Sequence, residues 1–459
     1  MQKISAATFF FFTALTGPNG RAECIVNNPG GSKINPNRPS DSDTPEASFS
    51  AMSAVNRRMP EWLCFTLGYR TRYEGYSGAN FELHSSDSYL LTRFRLGMMV
   101  SPVSWLKVYG ELQDADAFGK TPPLAPPYQE TWDLRRAYVD IGNMQEGRFG
   151  LRAGRQDLNF EDGRLLGTSY WRNASKGYDA VEAVTNWSQV SATAFAASPV
   201  LAADNGLTHS QAGNDLYGLD GKFKTALPAG LVEPFLFWRL TPNQKTEEGA
   251  SGKLDEKIVG LRLAGTIHKS WDYDTEGAVE TGQVGANKIR AHGWLGIAGY
   301  TFDRLRYRVR IFTEYDYASG DRNPHDGVRG TFDALYPNVH DHLGLADQFA
   351  WQNLRSFRAG ARVWLRRNWT VAGAWGDYWL ADPRDGFYNP LGPVIARDPT
   401  GRSGSHLGEE YDAQTSYRLN RDIELGVGVG RILPGEFLLR TNHPAAYTYP
   451  YLMLSYNIF

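Results

Sequence analysis

Residues 305–317 read LRYRVRIFTEYDY. Arg306, Arg308 and Arg310 alternate with Tyr307, Val309 and Ile311, and Glu314 and Asp316 continue the charged set. A guanidinium is a planar fork that binds carboxylates bidentately, so a row of them is a surface for anions. The pattern recurs at Arg70 and Arg72, Arg93 and Arg95, Arg152, Arg262, Arg290, Arg358, Arg362 and Arg418. Other chemistries find less support. Hydrolysis needs a nucleophile, an adjacent base and a group that orients the base. His325, His340 and His342 fall in one predicted loop, and His292 shares a strand phase with Arg290 and Trp294 without a serine at a diagnostic offset. An enzyme is therefore not expected. The loop DYASGDRNPHDG, 316–327, lacks the twelve-position calcium pattern with its closing glutamate, and polar turns account for its carboxylates. No cofactor and no metal are expected.

Side chains alternate across a strand with period two, so 305–317 reads as a strand with one apolar and one charged face. In 65–74, Phe65, Leu67, Tyr69 and Tyr73 oppose Arg70, Arg72 and Glu74, and 89–100 and 105–114 follow the same style. About eighteen segments of roughly ten residues run to the end of the chain, near the length of a tilted strand crossing a bilayer. Their connections alternate between short (101–104, 142–147, 268–271, 302–305, 366–369) and long (115–130, 158–177, 318–352, 380–406). Short turns at one end and long loops at the other are the pattern of an outer-membrane barrel. A propeller would repeat a blade motif, and none recurs. Trp105, Trp187, Trp271 and Trp369 lie at short turns, where an interfacial girdle belongs. The expected fold is all-β, a transmembrane antiparallel β-barrel of about 18 strands with short periplasmic turns and long extracellular loops.

The N-terminus has Lys3, an apolar stretch from Ile4 to Leu15 and then Gly17-Pro18-Asn19-Gly20, which reads as a signal peptide over 1–22. Residues 23–60, rich in Asn, Pro, Ser and Gly, read as a flexible periplasmic segment, and 61–459 as the barrel. Of 459 residues only Cys24 and Cys64 are cysteines, which allows one disulfide or two thiols. A net charge of -2 gives no field for nucleic acid. The expected location is the bacterial outer membrane, with lipid around a monomer.

In hydrocarbon, an arginine near the midplane costs about 2–4 kcal/mol, so the charged face must turn to the lumen. The same phase puts all the arginines named above inside, with Glu111, Asp140, Asp220, Glu314, Asp316, Glu410 and Asp412 as a smaller acidic set. Asp272, Asp274 and Glu276 share one strand face and would balance lumen arginines. An arginine-rich lumen concentrates anions. Residues 343–351, LGLADQFAW, read as a short helix within the long loop.

At 148–183 the sequence resembles the alginate-export family of outer-membrane barrels. The resemblance is carried by Gly154-Arg155-Gln156, Asp162-Gly163-Arg164-Leu165, Trp171 with Asn173, and Tyr178-Asp179. Asp272-Tyr273-Asp274, Glu314-Tyr315-Asp316-Tyr317, Leu407-Gly408-Glu409-Glu410, Tyr417-Arg418-Leu419-Asn420 and Pro434-Gly435-Glu436-Phe437 continue it. It implies an 18-stranded barrel whose arginine-lined lumen passes an anionic polysaccharide outward, with periplasmic export machinery as a partner. Loops 158–177 and 318–352 are long enough to fold inward, with Arg164, Trp171, Arg172 and Asn173 at a constriction. An uptake porin for small organic anions and a structural or adhesive barrel are the alternatives.

Overall fold

The computed structural model describes residues 51–458 apart from 123, 125, 146, 202–207, 212, 226–229, 247, 248, 341, 391 and 421. Eighteen strands form the wall. The first nine are β1 (Leu63–Ser77), β2 (Ser86–Val103), β3 (Leu106–Phe118), β4 (Glu130–Gly142), β5 (Gly150–Gln156), β6 (Gly177–Asn186), β7 (Val190–Leu201), β8 (Asp215–Thr225) and β9 (Gly230–Lys245). The rest are β10 (Ser251–Ile267), β11 (Trp271–Val284), β12 (Asn287–Phe302), β13 (Arg308–Ala318), β14 (Leu354–Arg366), β15 (Trp369–Leu380), β16 (His406–Arg418), β17 (Ile423–Pro434) and β18 (Tyr447–Ile458). Each pairs antiparallel with the next, and β18 returns to β1, with Leu67 opposite Ile458 and Tyr73 opposite Leu452. Closure leaves no strand edge, the condition for a sheet in lipid.

Alternation decides the faces. Leu96, Met98, Val108, Leu112, Val259, Leu261 and Ile311 point outward and are exposed, an apolar belt that only lipid would cover. Trp105, Trp187, Trp271 and Trp369 are exposed at the short-turn rim, as a girdle requires.

Three details depart from the sequence reading. Connections do not alternate strictly in length, because β11 and β12 join through Gly285 and Ala286 alone, with Gly285 at φ 59. There the strands are long instead, fourteen and sixteen residues, and stand above the belt. Residues 343–351 form turns rather than a helix, with Gly344 at φ 104 and Asp347 at φ 52. The segment expected to be flexible contains a helix, α1 (Ala51–Asn56), tied to β1 by two hydrogen bonds of 2.9 Å between Asn56 and the Phe65 backbone. Residues 1–50, with the expected signal peptide and Cys24, and terminal Phe459 lie outside the described residues. Cys64 is disulfide-bonded.

The core lies inside the barrel. Residues 157–176 and 319–353 both fold inward and pair with each other: Tyr336 donates to the Leu165 carbonyl (2.9 Å), Gly167 to Tyr336 (3.0 Å) and Asn338 to Gly163 (2.8 Å). Val328–Arg329 adds a short parallel rung to β12. The two loops bring Leu158, Phe160, Leu165, Phe332 and Phe349, all buried, against inward wall residues. Phe160 stacks on Phe195 at 4.7 Å and Phe349 on Tyr378 at 3.7 Å. These contacts make a plug of aromatic packing inside a charged wall.

Candidate functional site

Because inward residues of neighbouring strands face one another, wall charges meet in rungs. On β1 and β2, Arg70 sits opposite Arg93, with Arg72 and Arg95 beside them. Three of these four side chains are buried and Arg95 is half-buried. Their partners are mostly neutral. Arg70 donates to the carbonyls of Tyr170, Trp171 and Arg172 at 2.8, 3.0 and 3.1 Å, and Arg93 to those of Tyr170 and Arg172 at 3.0 Å. Arg72 reaches the Trp171 carbonyl at 2.7 Å and also pairs with Glu74. Arg95 binds Gln113 and Ser175 at 2.7 and 2.8 Å. A run of three backbone carbonyls in the plug thus does what a carboxylate would do.

Elsewhere the wall arginines meet carboxylates. Arg152 forks onto Asp140 (2.6 and 2.7 Å) and Arg310 onto Asp272 (2.9 and 2.5 Å). Arg262 grips Asp274 (2.8 and 2.5 Å) and Glu233 (3.1 Å) with no exposure. Arg358 reaches Glu314 at 3.0 Å and the His342 carbonyl of the plug. The expected role of Asp272 and Asp274 as balancing charges matches this geometry.

Constriction-loop candidates all lie within the barrel. Arg164 pairs with Asp316 at 2.9 Å and with Glu314. Those two carboxylates therefore dock the plug. Asn173 donates to the carbonyls of Thr92, Asp116 and Tyr128 at 3.0, 3.1 and 3.0 Å. Trp171 lies between the Arg72 guanidinium, 3.9 Å away, and the His340 ring, stacked at 3.9 Å and 6°. Arg172 lines a cavity of about 280 Å³ with Arg72, Glu74, Tyr128, His340 and Tyr449. Glu410 accepts from the Ala346 amide at 2.9 Å. Many of the residues that carried the family resemblance are thus the fastenings between plug and wall.

Burial, reinforced by the Arg172 charge, pushes the Lys176 ammonium down to about 7. Burial and Arg164 hold His342 below its ordinary range, and its Nε2 faces the Asp162 carbonyl at 3.0 Å. In 316–327 the carboxylates serve as turn acceptors: Asp321 takes the amides of Asn323 and Gly330 at 2.7 and 2.9 Å.

The structure moves several predicted lumen residues. Arg290 points outward with His292 and Trp294, since buried Ile289, Ala291 and Leu295 occupy the inward phase of β12. Arg306 sits in the turn before β13 and is exposed, and Arg308 is the exposed first residue of β13, 3.3 Å from Asp303. Arg362, opposite Arg310, and Arg418 are half-buried on the inward phase. The acidic set is larger than the sequence suggested: Glu182, Glu233, Glu256 and Glu280 are also buried in the wall. Arg135 and Arg136 were missed because a register shift between β3 and β4 breaks the alternation, so both are buried, on Asp157 and Glu111. Arg239 and Arg329 converge on Glu256 (2.7 and 3.0 Å) and on Asp333 of the plug, contacts that only the loop's path creates.

The profile described as alginate export matches residues 61–450. No curated protein sequence matches the chain. Among solved structures, OccK11 (OpdR) of Pseudomonas aeruginosa is similar at 14% identity and TM-score 0.56, covering 86% of this chain and 96% of that one. OccK8 (OprE) of the same organism gives 12% and 0.58, covering 86% and 98%. P. aeruginosa OpdK with vanillate gives 10% and 0.58, covering 86% and 98%. At such identities the likeness concerns the fold.

Proposed function

Because the chain belongs to the alginate-export family of outer-membrane channels, we propose that its lumen passes anionic, carboxylated polysaccharide or oligosaccharide. One observation carries the reading: Arg70 and Arg93 are held by plug carbonyls, not by wall carboxylates, and Arg72 shares its fork between the Trp171 carbonyl and Glu74. A carboxylate offers the same fork a charge-assisted partner, about twice as strong as a neutral one. Cargo thus competes with the plug for its own docking site, and binding and opening become one exchange. Arg95, Arg310, Arg358 and Arg362 extend the path, while the plug residues Arg164, Trp171, Arg172 and Asn173 hold the closed form. No bond is made or broken in cargo. Lipid surrounds the belt, and periplasmic machinery would deliver the polymer to a monomeric barrel.

A second reading, an uptake porin for small organic anions, is favoured by cavity size, since about 280 Å³ suits one small carboxylate better than a chain. Planar-bilayer recording separates the two. The polysaccharide reading expects anion selectivity in a salt gradient and block by oligo-uronates that lengthens with chain length. Anion selectivity with block by single-ring carboxylates alone would favour the porin, and cation selectivity would sink both.

A further inference from the structure

The short-turn mouth of the barrel carries a second arginine group that the plug does not touch. Arg306, Arg308, Arg366 and Arg367 surround an open cavity of about 450 Å³, backed by Tyr307 and Trp364. Each of the four arginines is exposed. The Arg308 guanidinium lies over Trp364 at 4.6 Å, and Arg306 lies by Tyr307 at 5.3 Å. The carboxylate in this patch is Asp303, on Arg308. We propose that this patch is a capture site for carboxylated saccharide chains approaching from the periplasm, with the forks taking carboxylates and the rings taking sugar faces. The inference rests on the function proposed above and adds a side to it.

Three features support this occupant. Arg308 is paired with Trp364, one inward rung below Arg310 with Arg362. The patch therefore leads into the lumen, where acyl chains of a lipid would find no hydrocarbon. Above it, inward Arg362, Ala372, Gln414 and Ser416 are only half-buried, in contrast to the closed β1–β2 side, so this sector of the lumen stays open to solvent. Deeper in, Arg310 and Arg358 are held by Asp272 and Glu314, so the uncompensated charge is concentrated at the mouth. A focused positive mouth raises the arrival rate of anions by ten- to a thousandfold at low salt, on the order of magnitude of other steered encounters.

The test is one-sided block. The triple variant Arg306→Gln/Arg366→Gln/Arg367→Gln alters rim side chains alone, and heat-modifiable migration verifies that the barrel is closed. With orientation fixed by a tag on the loop side, the association rate for oligo-uronate added at the short-turn side is expected to fall about tenfold, with a shallower salt dependence. The rate from the loop side is expected to hold. An unchanged rate from the short-turn side, or an equal fall from both, overturns the capture site while leaving the proposed cargo intact. Phosphatidylglycerol retained by the wild type but lost by the variant, at unchanged block rates, would reassign the patch to a lipid headgroup. Wild-type channels blocked from neither side would refute the cargo reading and the capture site with it.

Discussion

Two sectors of one wall use the same residue in opposite ways. On β10, β13 and β14, inward Arg262, Arg310 and Arg358 are neutralised by wall carboxylates: Arg262 by Asp274 and Glu233, Arg310 by Asp272 and Arg358 by Glu314. On β1 and β2 Arg70 and Arg93 face each other and lean on carbonyls of a loop. Alternation and face are identical, yet the first set braces the barrel and the second set holds something removable. Arginine on a lumen face does not itself mean a path for anions, and the partner decides.

The largest expected effect is on the braced side. Arg262→Leu strands buried Asp274 without its fork and leaves Glu233 with Lys222, and removing one member of a buried pair costs about 3–5 kcal/mol. Thermal unfolding in detergent should show a large drop, partly restored by adding Asp274→Asn, because that removes one stranded charge. A full-height transition in the single variant would erase the distinction between the sectors. Arg70→Gln is expected to leave that transition in place and loosen the plug. Hydrogen bonds to a charged group contribute about 1.5–3 kcal/mol, so the open fraction in single-channel records rises by at least roughly tenfold. Unchanged gating would mean that the carbonyl contacts do not hold the loop.

A smaller effect involves Lys176, which lies where the plug meets the Arg135 side of the wall. Its ammonium sits at about 7 in the folded chain, below the ordinary ~10.4. Between those values the undocked segment binds a proton that the docked one does not, so docking strengthens as pH rises through this window and is weakest below it. Open probability is expected to rise as pH falls from about 10 to about 7 and to level off below, and Lys176→Met to flatten that rise. A wild-type profile without an inflection would remove the prediction. The smallest effect belongs to Arg290→Ala, which should change neither selectivity nor conductance, since the side chain faces outward. A shift in reversal potential would return Arg290 to the lumen.

Much of the wall was legible because lipid on one side imposes period two with little tolerance, and the strands at 65–74, 89–100 and 305–317 showed it plainly. Lipid forces arginine inward only at bilayer depth. Arg290 lies near the loop end of β12, close to the Gly285 turn, where an outward charge meets water. Above the membrane the inward phase was taken instead by Ile289, which packs with Leu254 and Val284, and by Leu295, which joins the cluster around the plug. The plug itself left a trace in the sequence, Arg164, Trp171 and Asn173, but not its targets. The matching of Arg164 to Glu314 and Asp316 joins positions about 150 residues apart, and no period links them. The wall glutamates were in plain phase with Arg239 and Arg262, hidden among Phe235, Phe237 and Ile258 that the same interior buries.

Trp171 sits like a pin through three plates. Arg72 presses one face and His340 the other, Tyr449 accepts its indole N–H at 3.1 Å, and Tyr451 meets its edge. Arg72 and the two tyrosines belong to the wall, His340 to one loop and Trp171 itself to the other, so neither obstruction can swing clear while the pin is seated. A gate fastened at one ring opens as a unit, and its current trace is a switch with two levels, not a staircase.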